Sequence, residues 1–220
     1  MDLIWCGEEK AKIMLSTLSV PRLSIPLGWR HSLPPETLST PLLSFPRGRI
    51  TEITGARSSG RTTLLHSLLA ASTGRGESAV LVDATDAFDP SSAASAGVDL
   101  AKLIWIRCAG NVEHAMRAAD LVIHAGGFGT VAVDLAEALP RQLQRIPPTA
   151  WFRFRRAVDP TPTVLAVVAT QPLTKSCAAV LVRMKRKRAV FTGSRPFELL
   201  RGAEYEPQTL RSIAIQQAAV

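Results

Sequence analysis

The sequence predicts an α/β domain in which a mostly parallel sheet carries helices on both faces and ends in an antiparallel C-terminal edge. Two observations lead there. Short apolar runs alternate with segments of helical spacing from residue 49 to residue 171, the pattern of strand–helix–strand units whose crossovers cover a parallel sheet. A glycine-rich turn, "GARSSGRTT" at residues 55–63, joins the first of those strands to the first helix. The length of 220 residues suits one such domain with short extensions. The expected division is a proline-rich extension over 1–46, a core over 47–195 and a tail over 196–220.

In chain order, the extension carries prolines at 21, 26, 34, 35, 41 and 46, which break any long helix or central strand. A short helix is expected at 8–18, where Ala11, Met14, Leu15 and Leu18 share a face. "RITEITG" reads as a strand ending at the first glycine, and "TTLLHSLLAAS" as the helix that follows, starting near Thr62. "SAVLVDA" suits a strand buried on both faces. "DPSSAASAG" reads as a capped helix with Asp89 or Ser91 as N-cap and Gly97 at its end. "LIWIRC" is a third strand. The next helix carries a stripe of Val112, Ala115, Met116, Ala119 and Val122, and "FGTVAVDLAEAL" is a strand running into a loop. "PTAWFRFRRAV" is helical, "TVLAVVATQ" is a fifth strand, and "AAVLVRMKRKRAVFTG" reads as a hairpin or a pair of edge strands. The tail "LRSIAIQQAAV" either packs on the domain or docks on a partner.

Composition narrows the class. With 46% hydrophobic and 20% charged residues the chain is globular in type, and no apolar run approaches the ~18 residues of a membrane span. The start, "MDLIWCGEEKAK", places acidic residues ahead of any apolar stretch, unlike a secretory signal. A cytoplasmic location without a membrane partner is expected. Cys6, Cys108 and Cys177 are scattered and odd in number, and His31, His66, His114 and His124 are equally dispersed, so no zinc pattern or nucleophile–base pair is visible. The net charge of +8 favours nucleic acid or an acidic partner.

The turn at 55–63 nearly spells G-x-x-x-x-G-K-[ST], the loop whose backbone N–H groups cradle phosphates. Gly55, Gly60 and Thr62 fall in register, with Ser58, Ser59 and Thr63 completing the cradle, but Arg61 stands where the lysine belongs. A lysine ammonium is a compact point charge, whereas a guanidinium is broad and forked. Nucleotide binding and chemistry are therefore expected to be weakened, with ATP and Mg²⁺ as weakly bound cofactors and Thr62 still able to ligate the metal.

"GRITEITGARSSGRTTLLHSLLAAS", followed by "AVLVDATDAFDPSSAASAGVDLAKLIWIRC", resembles the P-loop ATPase core of the RecA recombinases. The likeness includes D-A-x-x-A-x-D-P from Asp83 to Pro90 and the G-V-D after it, and spans roughly residues 40–192. The chain is similar above all to shortened RecA-like proteins of the ImuA type. Those are accessory factors of bacterial damage-induced mutagenesis, encoded with a non-catalytic Y-family polymerase homologue and an error-prone replicative polymerase. The resemblance implies those two partners. It puts Asp134 at the strand-end aspartate that holds Mg²⁺ through water, against the plainer reading of an aspartate capping a turn. Gln171 falls at the glutamine that senses the γ-phosphate, against the plainer reading of a surface glutamine.

Two departures bear on activity. The glutamate that activates water in the recombinases is here Thr85, which is no general base near neutral pH; Asp86, adjacent, is expected to point the other way from an extended segment. No catalytic residue is assigned with Thr85 in that place. Only "PLTKS" separates Gln171 from Cys177, where the recombinases have a long mobile DNA-binding loop, so strand exchange by this chain alone is not expected. The function implied is assembly of translesion DNA synthesis at damaged DNA with weak or no ATP hydrolysis. The alternatives are an active DNA-dependent ATPase of recombination and repair, and a regulator acting on recombinase filaments.

Positive charge concentrates in Arg153, Arg155 and Arg156 and in Arg183, Lys185, Arg186, Lys187 and Arg188. One reading is contact with the phosphates of single-stranded DNA; the other is a charged edge strand that discourages aggregation. In a regular strand 183, 185 and 187 face one side and 186 and 188 the other, so the second cluster makes one patch only if the chain turns. Trp151, Phe152 and Phe154 between the first arginines are expected to serve the core.

Overall fold

The computed structural model describes residues 37–193 and 197–212, together with the backbone of residues 4–5. Strand β1 (Ile4–Trp5) lies on one edge of the sheet, and β2 (Thr37–Ser39) pairs with β3 (Ser44–Pro46) in a small separate hairpin. The core then alternates: β4 (Ile50–Thr54), α1 (Arg61–Gly74), β5 (Ala79–Asp83), α2 (Pro90–Ser95), β6 (Leu103–Arg107), α3 (Val112–Ala125) and β7 (Thr130–Asp134). It continues through α4 (Pro140–Leu143), α5 (Pro148–Val158), β8 (Val164–Ala169), β9 (Val180–Thr192) and β10 (Leu199–Ser212).

The sheet order is β1-β6-β5-β7-β8-β4-β9-β10. Every neighbouring pair from β1 to β9 is parallel, and only β9–β10 is antiparallel. This is the expected architecture, with one addition: β9 is itself a parallel member beside β4 before it pairs with β10.

Why the central strands read as unbroken apolar runs is clear from their two faces. Val80, Val82, Val131, Val133, Leu165 and Val167 point into one cluster with α3 and α5, while Leu81, Ala132, Val164, Ala166 and Val168 point into another with α1 and the β2–β3 hairpin. Alternation along each strand thus feeds both layers. Helix α3 buries Val112, Ala115, Ala119 and Ile123, with Met116 and Val122 partly covered beside them. Trp151 and Phe154 of α5 are buried in the same layer, whereas Phe152 is 49% exposed. Asp89 caps α2, its carboxylate accepting from the N–H groups of Ser91 and Ser92.

Several expectations change. The segment after β7 contains the short helix α4 rather than loop alone. Residues 180–192 are one long strand, not a hairpin closed on itself; the return strand is β10, so most of the segment expected as a tail is part of the sheet. Pro41 lies in the turn of the β2–β3 hairpin and Pro46 ends its second strand, where no regular element was expected. The helix expected at 8–18 lies outside the described residues.

Candidate phosphate-loop site

All five residues of β4 are buried, and the strand runs between β8 and β9 to end at Gly55. The loop 55–60 then turns into α1, which starts one residue earlier than expected, at Arg61. Gly60 has φ of 93° and is the N-cap, its carbonyl accepting from the N–H of Leu64 at 3.0 Å. No side chain caps the helix, so its first N–H groups and the positive end of its dipole are offered outward. A Cβ on Gly60 would stand 2.5 Å from the ring of Tyr205, so glycine is required both by backbone angle and by that close approach.

Arg61 is only 6% exposed. Its Nη2 donates to Glu137 Oε1 at 3.2 Å, and Arg57 Nε donates to Glu137 Oε2 at 2.9 Å. One carboxylate therefore takes both arginines of the loop. Arg61 Nη1 and Ser59 Oγ are buried without a partner. A cavity of about 490 Å³ opens over Ser58, Gly60, Thr62 and Thr63, walled by these arginines, Glu137 and Tyr205. Thr62 and Thr63 are exposed.

Asp134 ends β7 in register with Asp83 at the end of β5. It keeps some exposed surface but is ringed by protein atoms. That desolvation pushes its carboxyl up to about 6, partly offset by the Ala136 N–H at 2.9 Å, with Asp83 adding to the rise and Arg61 opposing it. The native state thus holds a proton more tightly than the unfolded chain between the ordinary value of 3.8 and about 6. Stability from this group is full below that window and lost as pH rises through it. The parent chain is expected to lose about 2 kcal/mol relative to Asp134→Asn between pH 4 and 6.5, solvent at the exposed edge reducing the ~3 kcal/mol of two full pK units. Urea unfolding of both proteins across that range measures the difference.

Asp83 is buried and shapes the turn that follows. Its Oδ1 accepts from the N–H groups of Thr85 and Ala87 at 3.1 and 3.2 Å, and its Oδ2 from Phe88 N–H at 2.9 Å and Trp105 Nε1 at 3.3 Å. Thr85 Oγ1 is buried without a partner. Asp86 is not in an extended segment: it has φ of 59° in this turn, and its Oδ2 accepts from Arg107 Nη2 at 2.9 Å. Its side chain is therefore fixed by that turn and ion pair, not by strand alternation.

On the other side of the loop, a second cleft of about 500 Å³ brings Gly55, Ser58 and Ser59 together with Gln171, Arg183, Lys185 and Arg186. Gln171 follows β8 and is exposed. Its loop is held by Glu52, a fully buried carboxylate in the middle of β4. Glu52 accepts from the N–H groups of Leu173 and Thr174 and from the Thr174 hydroxyl. The basic strand does deviate from regular alternation: Tyr205 pairs with Arg186 and Glu204 with Arg188, leaving Lys187 as a β-bulge. Arg183, Lys185 and Arg186 line one cleft, with Met184 between them. Arg188 is engaged by Glu204 at 2.6 Å.

The other basic cluster lies apart. Arg153, Arg155 and Arg156 are exposed on α5 and line neither cavity. Arg153 Nε donates to Asp120 at 2.9 Å, and the Arg155 guanidinium lies 5.4 Å over the Phe152 ring. Among the described residues no group of three or more His, Cys, Asp or Glu side chains is arranged to hold a metal ion, and no helix is long and apolar enough to cross a membrane. Cys108 and Cys177 are buried and form no disulfide.

Three residues of this region were not found from sequence. Glu137 and Tyr205 come from elements remote from the loop, and nothing in their neighbourhoods marks them. Glu52 does leave a signal, a lone carboxylate inside an otherwise apolar central strand.

Comparison with known proteins supports the same core. The RecA N-terminal domain family model matches residues 38–144. The chain is similar to Protein RecA of Chlorobaculum parvum, 40% identical over 100 residues that make up 46% of this chain and 28% of that protein. Against Protein RecA of Rickettsia prowazekii it is 37% identical over 122 residues, 51% of this chain and 36% of that protein. For Protein RecA of Aquifex aeolicus the figures are 39% over 102 residues, 46% and 29%. The chain spans about a third of the length of these curated relatives, and its core is RecA-like.

Proposed function

We propose that this chain is an accessory protein of DNA damage tolerance: a RecA-like core with a degenerate nucleotide site that helps assemble mutagenic translesion synthesis at damaged DNA. In this reading it hydrolyses ATP weakly or not at all. The observation that carries it is the state of the two groups that chemistry would need. Thr85 occupies the glutamate position, and the carboxylate next to it in sequence, Asp86, is paired with Arg107 at 2.9 Å. In the lysine position Arg61 is held by Glu137 at 3.2 Å.

The loop retains what binding needs. Uncapped N–H groups at the start of α1 suit phosphate, and the Thr62 hydroxyl with the Asp134 carboxyl are oxygen donors of the kind Mg²⁺ takes. Bound there, the metal would neutralise phosphate charge; the protein's part is to hold the phosphates and to report them through Gln171. The cleft lined by Gln171, Arg183, Lys185 and Arg186 is the proposed path for the backbone of single-stranded DNA, a sequence-independent and salt-sensitive contact. The proposed protein partners are a non-catalytic Y-family polymerase homologue and an error-prone replicative polymerase, with a recombinase filament as a further one.

Steady-state ATP turnover, with and without single-stranded DNA, tests the core of this reading. Turnover near background is expected for the parent chain and for Asp134→Ala alike. Recombinase-like turnover, abolished by Asp134→Ala, would overturn it. A pull-down of the polymerase partners should use the intact chain, because cutting at residue 196 would remove β10 from the sheet.

A further inference from the structure

The mouth of the loop holds a feature that phosphate binding alone does not require. Glu137 projects from the segment after β7, and its two oxygens go to different arginines, Oε1 to Arg61 and Oε2 to Arg57. The three groups are unequally exposed, Arg57 at 83%, Glu137 at 31% and Arg61 at 6%. Exposed ion pairs are weak, so the Arg57 arm is easily exchanged. The Arg61 arm is another matter: its guanidinium is buried beside the cavity that opens at the helix start, and its Nη1 has no partner. Glu137 is thus a carboxylate placed where an anionic ligand would meet the same donors.

We propose that Glu137 sets the ligand selectivity of the loop: it bridges Arg57 and Arg61, and only a ligand with several linked phosphates displaces it. The physical basis is a competition between anions for the same charge-assisted hydrogen bonds. A carboxylate carries one negative charge and two oxygens. A terminal phosphoryl group of a polyphosphate offers three oxygens, and its neighbouring groups reach the N–H groups at the start of α1 as well. A single inorganic phosphate lacks that second set of contacts and loses to the tethered carboxylate. Glu137, partly exposed, has solvent to swing into when it is displaced. The proposal rests on the reading of residues 55–63 as a phosphate site.

Titration calorimetry on the full chain without added metal tests it, with tripolyphosphate, ATP and inorganic phosphate as probes. The proteins are the parent, Glu137→Gln, and Glu137→Gln combined with Arg61→Ala, each checked for folding by circular dichroism. Glu137→Gln is expected to bind tripolyphosphate about tenfold more tightly than the parent, the equivalent of ~1.4 kcal/mol, and to gain measurable affinity for inorganic phosphate. Both gains should vanish when Arg61→Ala is added. Equal tripolyphosphate and ATP affinities in Glu137→Gln identify the polyphosphate chain as the recognised group; tighter ATP binding adds the nucleoside to it. Both results uphold the role of Glu137. Polyphosphate binding of equal strength in the parent and Glu137→Gln overturns the proposal and spares the phosphate site. Absence of polyphosphate binding in every protein overturns both. Should Glu137→Gln unfold, Glu137→Asp keeps the charge but is too short to bridge both arginines, and the same gain at smaller size is expected.

Discussion

ATP turnover is expected to rise about 10²- to 10⁴-fold over the parent chain when Thr85→Glu is combined with Arg61→Lys, the range that a positioned general base contributes. The two substitutions act on different parts of the barrier. A carboxylate at position 85 starts from a backbone already fixed, since the Thr85 N–H is held by Asp83 Oδ1 at 3.1 Å. Lysine at position 61 replaces a broad fork that Glu137 engages with a compact ammonium able to sit among phosphate oxygens. Each single change is expected to do much less, because a base without aligned phosphate, or aligned phosphate without a base, leaves the water unactivated. Phosphate release in single-turnover and steady-state modes measures the effect. A double variant that turns over no faster than its parent would show that these two positions are not what limits the site.

The second large effect is on stability. Glu52→Ala is expected to cost about 3–5 kcal/mol and to lower Tm by roughly 10 °C, from donors stripped of their acceptor inside the core. Glu52 is completely buried, and it satisfies the N–H groups of Leu173 and Thr174 as well as the Thr174 hydroxyl. Alanine removes the acceptor and leaves space that the parallel neighbours β8 and β9 cannot close. Glu52→Gln keeps one acceptor oxygen and should cost less, and Thr174→Val, which removes a single donor, less again. Urea unfolding of the three variants checks the order. A loss below ~1 kcal/mol for Glu52→Ala would mean that the loop finds its own partners. The same contact has a functional side: it ties the segment carrying Gln171 to the strand that delivers Gly55, so loosening it should blur the relation between the two clefts.

Much of this was legible in the chain because parallel α/β units advertise themselves. Buried strands such as "AVLVD" and "VLAVVA" are continuous apolar runs, and helices such as "VEHAMRAADLVIHA" alternate faces at helical spacing. The Asp89 cap was visible as an N-cap residue ahead of proline and serine. The β2–β3 hairpin was hidden by its prolines, which end a strand as readily as they exclude one. The antiparallel C-terminal edge was expected, but the extent of β9 and β10 was misread because the hydrophobic pattern fades after Met184, where the strand leaves β4 and pairs only with β10. Side chains that meet across long sequence separations were invisible altogether. Glu137 reaches Arg57 over 80 residues, and Tyr205 reaches Gly60 only because the sheet brings β10 over the loop. The Asp86 turn was missed because φ near +59° in a non-glycine residue leaves no mark in composition.

The last strand also governs how copies of this protein can meet. Its outer rim carries Pro207, which has no N–H to give, and its register slips at Arg201 and Leu210, where an extra residue kinks the rim away from a straight ladder. A second molecule trying to lengthen the sheet there would find donors missing and spacing irregular. Self-assembly by lateral strand addition at this border is thereby disfavoured.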